Sequence, residues 1–321
     1  MNENHLLKIA IAQIAPVWLN KNETIKKICN SIIEAGQQQC ELVVFGESLL
    51  PGYPFWLTLT HGADFNSKMQ KEIHAHYTRE AVQIEKGDLD EICKLAALHQ
   101  IAIYLGTIER AENRGGHSLY CSLVYIDATG EIRSVHRKLQ PTYEERLTWA
   151  PGDGHGLRVH SLKDFTVGGL NCWENWMPLS RTALYSQGED LHVAVWPGNL
   201  KNTYDITKMI AKEGRSFVIS ASGLMRKEDF PKDTPYLEEI LKRAPDVLAD
   251  GASCIAGPDG EWVVEPVIGK EGLIVETLDF NRVLEERQNF DATGHYSRPD
   301  VTQLVLNRER QSVLQIKKTK D

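Results

Sequence analysis

The run Leu42-Val43-Val44-Phe45 constrains this chain more than any other feature. Successive residues of a strand point to opposite faces, so four apolar residues in a row describe a strand covered on both sides. Before it lie Lys8-Ile9-Ala10-Ile11-Ala12-Gln13, a short strand rich in β-branched residues, and the stretch from Asn22 to Gln37. In that stretch Ile25, Ile28, Cys29, Ile32 and Ile33 recur at helical spacing. A strand, a helix and a buried strand in succession predict two adjacent parallel strands joined by a crossover helix.

The same alternation continues to the end. Helices are expected over Phe65 to Glu85 and Asp88 to His99, followed by a buried strand from Ile101 to Gly106. Asp127-Ala128-Thr129-Gly130 turns a hairpin between Ser118–Ile126 and Ile132–Lys138. Phe165 to Leu170 reads as a strand, and Pro178 opens a helix. Leu191–Trp196 and Phe217–Ser222 are strands on either side of a helix over Tyr204–Glu213. A helix near Leu237–Arg243, a second hairpin (Ser253–Ala256 and Trp262–Val267), a strand at Gly272–Asp279 and a helix at Asn281–Gln288 complete the pattern. Helices mix with parallel-type and hairpin strands throughout, without repeats or a linker-like break. One α/β domain with covered sheets is therefore expected. The polar, basic tail from Arg308 to Asp321 is expected to be loosely ordered unless it docks on a partner subunit.

Composition narrows the function. A net charge of −8 over 321 residues, with no Lys/Arg stripe, speaks against a nucleic-acid partner. No apolar run approaches the roughly 20 residues of a membrane span, so no membrane partner is expected. The opening residues Met1-Asn2-Glu3-Asn4-His5 lack the features of a signal peptide. Six widely spaced cysteines without a CxxC pair suit reduced thiols in the cytoplasm. His74 and His76 do not share a helix face, which speaks against a metal site there. Gly152-Asp153-Gly154-His155-Gly156 lacks the strand-to-helix context of a phosphate loop and reads as a mobile loop. No cofactor or metal is expected.

Chemistry enters at the strand ends. Phe45-Gly46 leads straight to Glu47, and Ile132–His136 leads through Arg137 to Lys138. The strand into Gly168-Gly169-Leu170-Asn171 leads to Cys172, just before a helix. Backbone N–H groups at such a turn stabilise a thiolate, although a lone cysteine also serves as a small core hydrophobe. Taken singly, Glu47 reads more readily as a helix cap and Lys138 as a residue solvated past its strand end. If the three ends converge, a thiol, a base for its proton and a cation for developing negative charge share one pocket.

Four stretches carry a family resemblance: Phe45-Gly46-Glu47-Ser48, Arg137 to Arg146, Asn171-Cys172-Trp173-Glu174, and Asp291-Ala292-Thr293-Gly294-His295-Tyr296-Ser297-Arg298-Pro299-Asp300. In this order they resemble the nitrilase superfamily of carbon–nitrogen hydrolases, and within it the nitrilase branch. The resemblance implies an α-β-β-α sandwich with mixed sheets, as a hydrolase domain over residues 1–303 and a tail over 304–321 open to oligomer contact. It implies homodimers or larger spiral homo-oligomers. It makes Cys172 the nucleophile, Glu47 the general base, Lys138 the cationic stabiliser and Glu145 an orienting carboxylate. The implied substrates are a small organic nitrile and water, with a carboxylic acid and ammonia as products. Tyr53, Trp173 and Trp196 are candidate pocket walls beside Pro54, Phe55 and Trp56, and His295 lines the site or anchors structure. Two positions depart from the family pattern. Gly46 stands where proline is frequent, and Asn175 stands where histidine is common, which bears on substrate preference. An amidase or carbamoylase of the same superfamily is the close alternative, and a non-catalytic binding relative is a third. Trp173 and the Pro141-Thr142 step favour the nitrilase, since amidase relatives more often carry tyrosine after the cysteine.

Overall fold

The computed structural model describes residues 5–314. Two sheets pack face to face. The first contains β1 (Leu6–Gln13), β2 (Leu42–Phe45), β3 (Ala102–Arg110), β4 (Leu119–Ile126), β5 (Ile132–Arg137) and, from late in the chain, β13 (Gly272–Asp279). Its order is β13-β1-β2-β3-β4-β5, with β1, β2 and β3 parallel. The second contains β6 (His160–Leu162), β7 (Phe165–Asn171), β8 (Leu191–Trp196), β9 (Phe217–Ser222), β10 (Leu224–Arg226) and β11 (Val247–Ala256). Its order is β10-β11-β9-β8-β7-β6, with β12 (Trp262–Ile268) paired on β11. Here β7, β8 and β9 are the parallel strands.

The apolar runs explain the layering. Leu42 and Val44 enter the inter-sheet core with Ile9, Ile11, Val193 and Val195. Val43 and Phe45 turn outward, against Ile28 and Ile32 of α1 (Lys21–Gln37) and Ile92 of α4 (Asp90–His99). Asn20 starts α1 by accepting the N–H of Glu23, satisfying one of the donors a helix leaves open at its beginning. On the outer face of the second sheet, Ile206 and Ile210 of α6 (Leu200–Gly214) cover Ala194 and Val218. Ala183 and Leu184 of α5 (Pro178–Tyr185) cover Leu170. The architecture is an α-β-β-α sandwich with mixed sheets.

Smaller helices close the rim: α2 (Trp56–Leu59), α3 (Lys68–Glu80) and α7 (Leu237–Leu241), with α8 (Asn281–Arg287) following β13. The long helix expected over Phe65 to Glu85 is shorter at both ends. Asn66 adopts φ 64°, Ser67 caps α3, and Ala81 is extended so that Val82 can bridge to Glu109. The glycine-rich stretch read as a mobile loop is instead a packed turn. Gly152 N–H donates to the Lys138 carbonyl, and Asp153 accepts from Arg310 and from the Gln311 N–H. The described part of the tail docks on its own chain through these contacts and through Leu306, which packs near Leu157 and Leu170. The remaining tail, residues 315–321, lies outside the described residues.

Candidate active site

β5 is antiparallel to β4, which is antiparallel to β3, so β2 and β5 end on the same rim of the first sheet. The Glu47 N–H donates to the carbonyl of Trp196 at the end of β8, tying that rim to the second sheet. Gly46 makes this approach possible: a Cβ there would meet Gly223 N at 2.9 Å and the Trp196 carbonyl oxygen at 3.2 Å. β7 runs parallel to β8 and ends at Cys172 on the same rim. The departure at position 46 is thus a packing requirement.

Glu47, Lys138 and Glu145 form one closed cluster. Lys138 Nζ donates to Glu47 Oε1 and to Glu145 Oε2, each at 2.8 Å, with its side chain fully buried. One ligating atom each from Glu47, Glu145 and Cys172 lies within 4.8 Å of the others. Three such atoms would suit a metal ion, but the Lys138 ammonium is already bonded to both carboxylates, so the cluster carries its own cation. Glu145 is held twice more: its Oε2 accepts the Thr142 N–H at 2.6 Å, and its Oε1 accepts the Tyr53 hydroxyl at 3.0 Å.

Burial decides the protonation states. It pushes the Glu47 carboxyl up to about 7, against the pull of Lys138. Burial followed by the Glu47 carboxylate drives the Cys172 thiol well above its ordinary value, with Lys138 and the Trp173 N–H opposing. Burial works against the Lys138 charge, yet Glu47, Cys172 and Glu145 together hold its ammonium well above the usual lysine range. At neutral pH the cluster therefore sets a protonated thiol beside a carboxyl group whose hold on a proton burial has raised and beside a lasting cation. Glu47 Oε1 is engaged by Lys138 and, at 3.5 Å, by the Cys121 thiol, while Oε2 is buried without a partner among the described residues.

Cys172 sits at φ 49°, in the left-handed region that costs a non-glycine residue about 1–2 kcal/mol. Two local devices hold it there. Asn171 and Glu174 form a reciprocal capping box around the turn. Glu174 also reaches across to the other strand end, accepting the Leu139 N–H at 2.8 Å and His136 Nε2 at 2.9 Å. One buried carboxylate thus ties the residue before Cys172 to the residue after Lys138.

A domain model described as carbon–nitrogen hydrolase matches residues 8–288, most of the chain. The chain belongs to the carbon–nitrogen hydrolase family. Several of its curated relatives carry nitrilase names. Nitrilase 2 of an unknown prokaryotic organism is 34% identical over 309 residues, covering 96% of this chain and 95% of that protein. Nitrilase 2 of Arabidopsis thaliana is 33% identical, covering 94% and 89%, and the aliphatic nitrilase of Rhodococcus rhodochrous is 31% identical, covering 94% and 82%. Among solved structures, a carbon–nitrogen hydrolase from Helicobacter pylori G27 aligns with a TM-score of 0.68 at 19% identity, covering 92% of this chain and 97% of the other. The Caenorhabditis elegans NitFhit protein aligns at 0.69 and 17% identity, covering 96% and 69%; both likenesses show the fold. This hydrolase acts on carbon–nitrogen bonds, and it groups with the nitrilase branch.

The residues singled out from the sequence divide by position in the hydrolase. Glu47, Lys138, Glu145 and Cys172 come together, with Tyr53 against Glu145. Trp196 is fully buried, its indole N–H donated to Ser220 Oγ; it reaches the site through its backbone carbonyl. Trp173 is half exposed, its ring tilted against that of Trp176. His295 lies in an exposed loop after α8 with its ring against Tyr296, and the structure does not bring it to the cluster. Asn175 is turned inward and fully buried, with its carboxamide on backbone carbonyls. Glu174, His136 and His192 gained no role from the sequence. The available signal was a polar side chain inside an apolar run, as in Leu191-His192-Val193-Ala194-Val195.

Proposed function

We propose that this chain is a nitrilase that converts an organic nitrile to a carboxylic acid and ammonia. The closed cluster of Glu47, Lys138 and Glu145 beside Cys172 carries the reading. The Cys172 sulfur attacks the nitrile carbon as its proton passes to Glu47, whose unpartnered Oε2 is the free acceptor. Glu47 passes that proton on to the nitrile nitrogen, which restores the carboxylate and gives a neutral thioimidate. Water, activated by Glu47, adds to it, and ammonia departs to leave a thioester. A second water then releases the acid. Lys138 and the Trp173 N–H face the negative charge that develops on nitrogen or oxygen.

Trp173 after the nucleophile, the Pro141-Thr142 step and the nitrilase names of the relatives support a nitrile over an amide. The same residues serve an amide C–N bond, so an amidase or carbamoylase is the second reading. Cytoplasmic location and pairing into homodimers or larger spirals belong to the same proposal. Six free cysteines support the first, and the exposed apolar residues Trp173, Trp176, Met177 and Leu179 support the second. Among the described residues, no helix is long and apolar enough to cross a membrane. Ammonia release from a panel of small nitriles, with the matching amides alongside, tests the proposal. Release from amides alone points to the amidase, and release from neither points to a binding protein.

A further inference from the structure

We infer that Asn175, His192 and Glu189 form a buried positioning chain that aims the backbone N–H of Trp173 at the reacting centre. The inference rests on the cysteine-hydrolase reading of Cys172 above. Asn175 Nδ2 donates to the carbonyls of Leu170 (3.3 Å) and Cys172 (2.9 Å), which bracket the turn. The opposite amide orientation would set Oδ1 against two carbonyl oxygens, so Oδ1 must be the atom facing His192 Nε2 at 2.7 Å. Nε2 is therefore a donor. His192 Nδ1 in turn lies 3.0 Å from both carboxylate oxygens of Glu189. The chain runs from the Glu189 carboxyl group, through the His192 ring and the Asn175 amide, to the peptide that follows the nucleophile.

That peptide is the point of the device. The Cys172 carbonyl and the Trp173 N–H belong to one planar unit and point in opposite directions. Holding the oxygen end fixes the direction of the N–H end, the donor that stabilises negative charge at Cys172. Cys172 sits at φ 49°, and the Asn175 amide adds to the capping box a direct grip on its carbonyl that opposes rotation of this peptide toward a commoner conformation.

Two further observations separate this chain from ordinary capping. The capping box of Asn171 and Glu174 already closes this turn. Moreover, the strand before the nucleophile is shaped around the far end of the chain: a Cβ on Gly168 would stand 2.3 Å from Glu189 Oε1. Glu189, His192 and Asn175 are each 0% exposed. Polar groups buried this deeply are costly unless fully paired, and when paired they specify one geometry.

The test compares Asn175→Ala, His192→Leu and His192→Gln, the last keeping an amide donor for Asn175 Oδ1. The readouts are kcat and KM on a nitrile or amide that the wild type hydrolyses, together with the rate of Cys172 alkylation by iodoacetamide. Asn175→Ala and His192→Leu are expected to lower kcat about 10- to 100-fold, part of what losing a whole oxyanion donor costs. KM should stay within about threefold, since substrate binding is not their role. Alkylation should slow in both, and His192→Gln should recover most of kcat. Folded Asn175→Ala and His192→Leu proteins with wild-type kcat would overturn the inference. So would a loss confined to KM, or a His192→Gln as damaged as His192→Leu. If Asn175→Ala does not fold, the two His192 variants decide. Alkylation needs no substrate, so a failure of the nitrilase reading shows separately, as a wild type that releases no ammonia.

Discussion

Replacing Glu174 with glutamine changes one oxygen to nitrogen and tests how the two strand ends are held together. The Glu174 side chain is fully buried and accepts three hydrogen bonds. Oε1 takes the Leu139 N–H at 2.8 Å; Oε2 takes the Asn171 N–H at 3.0 Å and His136 Nε2 at 2.9 Å. An amide keeps one of the two acceptors. The gentler orientation retains Asn171 and His136 and sets the new NH2 against the Leu139 N–H. A buried donor left unpaired costs about 1–3 kcal/mol. The two surviving bonds lose their charge assistance, roughly half their strength. Together these changes amount to about 2–4 kcal/mol at neutral pH. Urea unfolding of the two proteins measures the difference.

The pH dependence supplies a sign to check. Burial alone would raise the Glu174 carboxyl, but His136 and the backbone N–H groups of Asn171 and Leu139 hold it below its ordinary 4.5. A depressed folded value stabilises above the unfolded value and ceases to do so as pH falls through the folded one. The gap between wild type and Glu174→Gln should therefore narrow as pH falls from 4.5 through the lower folded value, because the unfolded wild-type chain takes up the proton first. Turnover should fall at least about tenfold at pH 7, since Leu139 follows Lys138 and Asn171 precedes Cys172. A gap below about 1 kcal/mol at pH 7, or one that does not change between pH 6 and about pH 3, would refute this account of Glu174.

Other outcomes follow from the cluster itself. Cys172→Ala should abolish hydrolysis while urea unfolding stays within about 1 kcal/mol of wild type, because a small buried thiol is replaced by a smaller apolar group; residual turnover would remove Cys172 from the mechanism. Lys138→Arg should lower kcat about 10²- to 10³-fold, as a guanidinium neither fits the closed site nor supplies a point charge; steady-state rates on the best substrate measure it. With the Glu47 carboxyl up to about 7, the base is lost on acidification, so kcat/KM should fall about tenfold per unit below that pH. A profile flat from pH 8 to pH 5 would exclude Glu47 as the titrating base.

Much of the architecture is local in origin and was readable in one dimension. The unalternating run Leu42–Phe45 requires cover on both faces, and the structure supplies it from the inter-sheet core on one side and α1 with α4 on the other. The hairpin around Asp127–Gly130 and the helix opened by Pro178 are equally local. Glu47, Lys138 and Cys172 were visible because a charge or a thiol at the end of a covered strand is conspicuous, and Glu145 came from the family pattern around Lys138.

The sequence could not reveal pairings between residues far apart in the chain. The family pattern ties Asn175 to substrate preference; the structure adds that its carboxamide grips the Cys172 carbonyl and meets His192, 17 residues on. Glu174 is 35 residues from the Leu139 N–H it accepts. The glycines of the 152–156 stretch suggested mobility until Arg310, 157 residues from Asp153, closed on it. The physical reason is common to these cases. Periodicity reports which face of an element is apolar, because burial of apolar surface is non-directional and averages over many neighbours. A hydrogen bond is directional and needs one particular partner within about 3 Å, so which polar groups meet is decided when the two sheets and their loops pack.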